Sequence, residues 1–473
     1  MPLVAGVDSS TQSTKVEIRD LETGEVRGFG SAAHPTVTPP CSEQDPQSWW
    51  SAFELAWGDA VGSNAGEVVA ISVAGQQHGM VALDVEDRPV HPAKLWNDTE
   101  SAPDAAWLLD RIGAAVTDAP ALGGRRAWAD AVGSVPVAAF TVTKLSWLHR
   151  TRPEAWAQVA RVLLPHDYLT HRLTGGYTTD RGDASGTGYW SPRTGEYRFD
   201  LLALIDGDRD WSGVVPDVLG PLDVAGSWQG RTVAVGTGDN MAAALGLGVV
   251  VGEAVVSIGT SGTAYTVSPT PTADAGGEVA GFADATGHFL PLVCTSNAAK
   301  VLDAISRILG VDHAEFDRLA LDAGPGGPVL LPYLDGERTP DRPQATGILA
   351  GLRSDVSRAQ VARAAADGVA CGLLDALDAL DRVTAAPSRI VLTGGGARSV
   401  ALRSVIAGLV DAPVVRADVA EAVATGAAVQ AAAALEQVEH SVIQQRWGLG
   451  AAEIVEGTDS GDLRERYAAL RDA

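Results

Sequence analysis

Twice, half a chain apart, the sequence passes from a short apolar strand pattern through a tip of small and hydroxyl residues into a second strand pattern. The two stretches are VAGVDSSTQSTKVEIRD at 4–20 and GEAVVSIGTSGTAYTVSP at 252–269. Each reads as a tight hairpin whose tip offers backbone and hydroxyl donors rather than bulk. One such unit opening each half points to an internal duplication. The chain has 473 residues, whereas single cores stop growing near ~250–300 residues. Two α/β domains are therefore expected, 1–245 and 246–473, with a cleft between them.

The rest of the pattern fills these halves. LVAGVD, KVEIRD, VVAISVAG and GMVALDVED read as strands, and QSWWSAFELAWGDAV as a helix laid on them. Residues 102–175 carry apolar positions at helical spacing and read mainly as a helical cap or insert. The stretch TVAVGTGDNMAAALGLGVV, 232–250, runs a buried strand into Asp239 and an Ala-rich helix. In the second half, VSRAQVARAAADGVACGLLDALDALDRV is a long amphipathic helix, followed by the strand and glycine turn RIVLTGGG. EAVATGAAVQAAAALEQ reads as a further helix, and GDLRERYAALRDA as a terminal one with no chemical role.

No G-x-x-x-x-G-K-[ST] and no G-x-G-x-x-G after a strand is present, which argues against P-loop and Rossmann nucleotide sites. Three other turns follow β-type runs: DSSTQSTK at 8–15, GTSGT at 259–263 and TGGGAR at 393–398. Backbone N–H groups in such turns make concave nests for phosphate oxygens, and small residues allow close approach. The candidates for phosphate are Ser10, Thr11, Gln12 and Ser13 in the first turn and Gly259, Thr260 and Ser261 in the second.

Asp239, between Gly238 and Asn240 at a strand end, reads either as a helix N-cap or as the carboxylate that phosphoryl transfer to an alcohol requires. The turn GQQHG places Gln76, Gln77 and His78 together, a donor and acceptor set suited to a polyhydroxyl ligand. KLWND adds an indole, an amide and a carboxylate through Trp96, Asn97 and Asp98, although Trp96 equally suits a core.

A net charge of −24 argues against nucleic acid or an anionic membrane as partner, because both need a basic footprint. Cys41, Cys294 and Cys371 form no paired motif and read as reduced thiols of a cytoplasmic protein. No export signal or membrane span is expected. Lysine is nearly absent: Lys15, Lys94, Lys144 and Lys300 stand alone in a chain that otherwise uses arginine.

In this order along nearly the whole chain run GVDSSTQSTK, SEQDPQSWW, GQQHG, LWND, TKLSWL, LLPHDYL, GTGDN, SIGTSGT, LPYLDGERTP, GILAGL and LTGGGARS. With these segments the chain resembles the FGGY carbohydrate kinases, and most closely their xylulose-phosphorylating branch. The resemblance implies two actin-like (ribonuclease H-like) domains closing on MgATP. It also implies transfer of the γ-phosphate to a ketopentose, D-xylulose at O5 foremost. Kinases of glycerol, ribulose or rhamnulose, and a non-kinase ATP switch, are the alternatives. By the same resemblance Asp239 is the proton acceptor, and Asp8 faces magnesium, mostly through water. Gln76, Gln77, His78, Asp239 and Asn240 would hold the sugar, with Trp96 and Asp98 nearby. The first two turns would take the phosphates of ATP, while Gly394, Gly395, Gly396 and Arg398 would take its adenosine. A homodimer is implied as well. Two departures stand out: Gln77 where family members often carry Met, and Glu100 where Arg is common.

Overall fold

A computed structural model describes residues 1–114 and 120–473. The chain divides into two compact units. The first contains Met1–Val249, Pro269–Leu290 and Val419–Gly450; the second contains Val250–Ser268, Pro291–Asp418 and Ala451–Ala473.

The first unit is built on a mixed sheet ordered Val224–Trp228, Arg231–Ala234, Val68–Gly75, Leu3–Ser9, Ser13–Asp20 and Val26–Ala33. Leu3–Ser9 is buried along its whole length, as a strand covered on both faces must be. One face is covered by the helix Pro46–Val61, whose Trp49, Phe53, Ala56 and Ala60 recur at helical spacing and are buried. Asp45 starts that helix by accepting from the Gln47 amide, and Pro46 occupies its first turn. Against the sheet also packs the helix Ala422–Glu436, made mostly of alanine residues. Their size sets the approach: a Cβ on Gly6 would run into the Ala424 carbonyl, and one on Gly426 into the Ala242 carbonyl.

The expected helical insert appears as Ala102–Gly113, Pro120–Val132, Thr141–Thr151 and Pro165–Thr174. Its residues 115–119 lie outside the described residues. The helical reading of this stretch misses Arg161–Leu163, which forms a short strand antiparallel to Val81–Leu83. Three residues are too few to show a period of their own.

In the second unit the sheet orders Phe289–Thr295, Gly262–Thr266, Glu253–Ile258, Arg389–Thr393, Val414–Ala417 and Ala452–Ile454. The long helix Arg358–Asp381 begins with a Ser357–Gln360 capping box and is buried over most of its length. The terminal helix Leu463–Arg471 is tied to it: Tyr467 is fully buried, and Arg464 donates to the Cys371 carbonyl at 2.9 Å and to Asp375 at 3.1 Å.

The duplication read from the sequence is visible in the pairing. Each unit opens with a hairpin whose first strand later gains a parallel partner: Leu3–Ser9 with Val68–Gly75, and Glu253–Ile258 with Arg389–Thr393. Among the described residues, no helix is long and apolar enough to cross a membrane.

Candidate active site

In the first unit three parallel strands end at one level. Asp8 pairs with Ala74 and Ser9 with Gly75, while Thr237 and Gly238 pair with the same two residues from the other side. The turns leaving these ends carry the hydroxyl tip, the Gln-Gln-His cluster and Asp239. The carboxyl ends of parallel strands are where open α/β sheets bind ligands.

The hydroxyl tip is tightly held. Ser10 donates its hydroxyl to Asp8, the Ser10 amide reaches the Ser13 carbonyl at 3.0 Å, and Thr14 lies 2.8 Å from His34. Thr11 donates to Gln76 Oε1 at 3.0 Å and accepts from Trp96 Nε1 at 2.9 Å, while Gln44 Nε2 donates to the Thr11 carbonyl at 3.0 Å. Gln12 is exposed at the apex. Asp8 is only 4% exposed, and burial pushes its carboxyl up to about 6, with the Ser10 hydroxyl and the Lys15 ammonium opposing. Lys15 itself pairs with Glu421 at 2.6 Å.

On the next turn, Asn240 Nδ2 bridges two partners, Gln77 Oε1 at 3.0 Å and Asp239 Oδ1 at 2.8 Å. Asp239 is half-buried at the first position of the helix Asp239–Gly246. Burial, then the charges of Asp8 and Asp183, push its carboxyl up to about 7. The Nε2 atoms of Gln76 and Gln77 are buried without a hydrogen-bond partner. His78 adopts a left-handed φ of 66°, places Nδ1 2.7 Å from the Gly186 carbonyl, and stacks on Phe140 with centroids 4.8 Å apart.

Asp98 lies in a different cluster from Asp239. Its carboxylate takes the Ser42 amide at 2.9 Å and the Lys94 ammonium at 3.0 Å. Lys94 is fully buried among Glu43, Asp98 and Glu100, at 2.9, 3.0 and 2.7 Å. The acidic departure at 100 is thus matched by a cation within the same segment.

The second unit repeats the arrangement. Ser257 pairs with Thr393, so Gly259–Ser261 and Gly394–Arg398 leave neighbouring parallel strands at one end. The Gly259 carbonyl accepts from the Ala299 amide at 2.9 Å, which anchors the first turn to the helix Ala299–Leu309. Thr260, Ser261, Gly394, Gly395 and Arg398 are exposed. Gly394 has φ 85°, and a Cβ there or on Gly396 would press on Ile258; glycine lets the two turns lie side by side.

The family models for the FGGY carbohydrate kinases match at both domains, the N-terminal one over residues 3–246 and the C-terminal one over 254–435. The chain belongs to the FGGY family of carbohydrate kinases. Among FGGY relatives, the xylulose kinase of Streptomyces coelicolor is 45% identical over all of this chain and 96% of its own length. That of Escherichia coli K12 is 34% identical over 85% of this chain and 84% of its own. The crystal structure of the xylulose kinase from Bifidobacterium adolescentis superposes with a TM-score of 0.87 at 41% identity, covering 99% of each chain. The two-domain α/β fold is that of FGGY kinases.

Several residues that shape this candidate site escape sequence reading. Gln44 and His34 brace the first turn from outside it, and His166, Asp180 and Asp183 lie behind Asp239 with no chemistry assigned to them from sequence. The signal available is a histidine followed by an aspartate in LLPHDYL and two more aspartates in TTDRGD, which periodicity alone does not connect.

Proposed function

We propose that the protein transfers the γ-phosphate of ATP to O5 of D-xylulose. The observation that carries this is the level ending of three strands, which sets Asp8, the Gln76–His78 turn and Asp239 along one edge of the first sheet. Full-length relatives that are xylulose kinases support the choice of sugar.

Asp239 accepts the proton of the attacking hydroxyl; a carboxyl near 7 is a stronger base at neutrality than an ordinary aspartate. Asn240 fixes one of its oxygens, and the same amide group orients Gln77. Gln77 and Gln76 then donate Nε2 hydrogens to sugar oxygens, and His78 adds a ring held by Phe140 and Gly186. Trp96 braces the hydroxyl tip through Thr11, and Asp98 supports the same segment through Lys94. Residues 1–245 in this reading supply the sugar groups and the first phosphate turn, Ser10–Ser13. Residues 246–473 supply the second phosphate turn, Gly259–Ser261, and the adenosine turn, Gly394–Arg398.

The donors around Asp8 are a carboxylate and the Ser10 hydroxyl, all oxygen, which fits a hard dication. Magnesium bound with ATP would be held there by Asp8, mostly through water, and would neutralise charge on the phosphates. Catalysis by the chain's own groups is positioning and preorganised charge.

The test is ADP release from MgATP with a panel of ketopentoses, glycerol and gluconate. D-Xylulose should give the highest kcat/KM, and product analysis should place the phosphate on O5. A higher kcat/KM for another acceptor would replace the sugar assignment, and turnover indifferent to every sugar would remove the kinase reading.

A further inference from the structure

Behind Asp239 lies a buried polar chain that the proposed mechanism leaves unused. Asp180 is 2% exposed, and Thr237, Asp183 and His166 are fully buried. Asp180 Oδ2 accepts from the Thr237 hydroxyl at 2.8 Å and from the Gly182 amide at 2.8 Å, while Oδ1 accepts from the Asp183 amide at 2.9 Å. Asp183 Oδ2 lies 2.7 Å from His166 Nδ1. The far edge of the same imidazole backs onto Gly236, which has φ 86°. A Cβ at Gly236 would come within 2.6 Å of His166 Cδ2 and 2.7 Å of the Val73 carbonyl. Gly182 is equally confined, since its Cβ would stand 3.1 Å from Thr237 Oγ1 and 3.0 Å from Met241 Cγ.

Gly236, Thr237 and Gly238 are therefore clamped. On one side Thr237 and Gly238 pair with Ala74 and Gly75; on the other lie His166, Asp183 and Asp180. The next residue is Asp239. Carboxylates and an imidazole at this depth are expensive to desolvate, and apolar packing of equal volume would hold a strand end at lower cost. What apolar packing lacks is direction: hydrogen bonds fix orientation where contacts fix only distance.

We propose that Thr237, Asp180, Asp183 and His166 are positioning residues, which fix the backbone at Gly238 and thereby the direction in which Asp239 presents its carboxylate to the acceptor hydroxyl. This rests on Asp239 being the proton acceptor. The four act through the segment 236–238, Asp183 adding its charge beside the Asp239 carboxyl, and are not offered as contacts to sugar or nucleotide.

Thr237→Val keeps the side chain's shape and removes the donor to Asp180, whereas Thr237→Ser restores it. A misplacement of about 1 Å at a reacting group costs on the order of 10²-fold, so kcat in Thr237→Val should fall ~10–100-fold. The KM values for sugar and ATP should stay within about twofold, and Thr237→Ser should recover most of the lost kcat. A merely structural role would lower the melting temperature and leave turnover per folded molecule intact. That result, or an equal loss in Thr237→Ser, overturns the inference. Should Thr237→Val fail to fold, Asp180→Asn, which retains the shape and gives up one acceptor oxygen, is read the same way. A kcat reduced at least tenfold at steady KM supports the inference, and an unchanged kcat overturns it. A wild-type chain inactive on every sugar would instead overturn the kinase reading, so the two failures are distinguishable.

Discussion

Lys94 and Glu100 form an ion pair of 2.7 Å in which the lysine is wholly removed from water. Glu43 and Asp98 share the same ammonium, which also stands 3.8 Å above the Trp147 ring. Cys41, Glu43, Asp98 and Glu100 bring ligand-type atoms within 4.8 Å of one another, yet the cation among these carboxylates is the lysine. Lys94→Met should strand three carboxylates and destabilise the fold by ~3–5 kcal/mol in denaturant melts, whereas a chelator should leave the melting temperature unchanged.

Asp239→Asn should reduce kcat by ~10²–10⁴-fold while titration calorimetry still detects sugar binding, because the amide keeps the shape and loses the proton acceptor. Near-normal turnover would remove Asp239 from the proposed role.

The same carboxyl sets a pH dependence. With Asp239 raised to about 7 in the folded protein, kcat/KM for the sugar should climb with pH through that value and level off above it. A profile flat from pH 5 to pH 8, a span of about three units, would contradict an acceptor of this kind.

Stability should run the other way. The carboxyl ionises near its ordinary value of 3.8 once unfolded but only near about 7 when folded, so between these values ionisation favours the unfolded chain. Below the lower value both states are protonated and nothing is lost; above the higher one the penalty is complete. Asp239→Asn should therefore raise stability at pH 8 by at most ~2–4 kcal/mol, and the gain should vanish near pH 3. Thermal melts of both forms across that range would show it.

Gly426 has no room for a side chain, because a Cβ would strike the Ala242 carbonyl on the helix that begins with Asp239. Gly426→Ala should cost ~1–3 kcal/mol or more in stability, as overpacking of a close helix crossing does. A variant as stable as the parent would show that the two helices can part without loss.

Elements with a strong local period are legible in the sequence: the paired hairpins, the Pro46–Val61 helix with its buried Trp49 and Phe53, and the capped helix from Arg358. The glycine and hydroxyl turns are legible too, since each follows a strand run directly. The return of Val419–Gly450 to the first unit has no local signature, because its contacts with Val4 and Ala70 span more than half the chain. Asp98 reads in sequence as a neighbour of the sugar groups, and its hydrogen bonds in the fold run to Ser42 and Lys94. The polar chain from His166 to Thr237 joins three separate stretches, and only folding reveals it.

The late helix Ala422–Glu436 has a consequence for biosynthesis. The strands Leu3–Ser9 and Val68–Gly75 leave the ribosome early, but the helix that shields Val4 and Ala70 is translated only after residue 421. Growth from residue 249 to residue 436 adds 187 residues, 436 − 249, so at ~5–20 residues per second the nascent sheet waits ~10–40 s for its cover. During that interval its bare apolar face is a natural target for a chaperone.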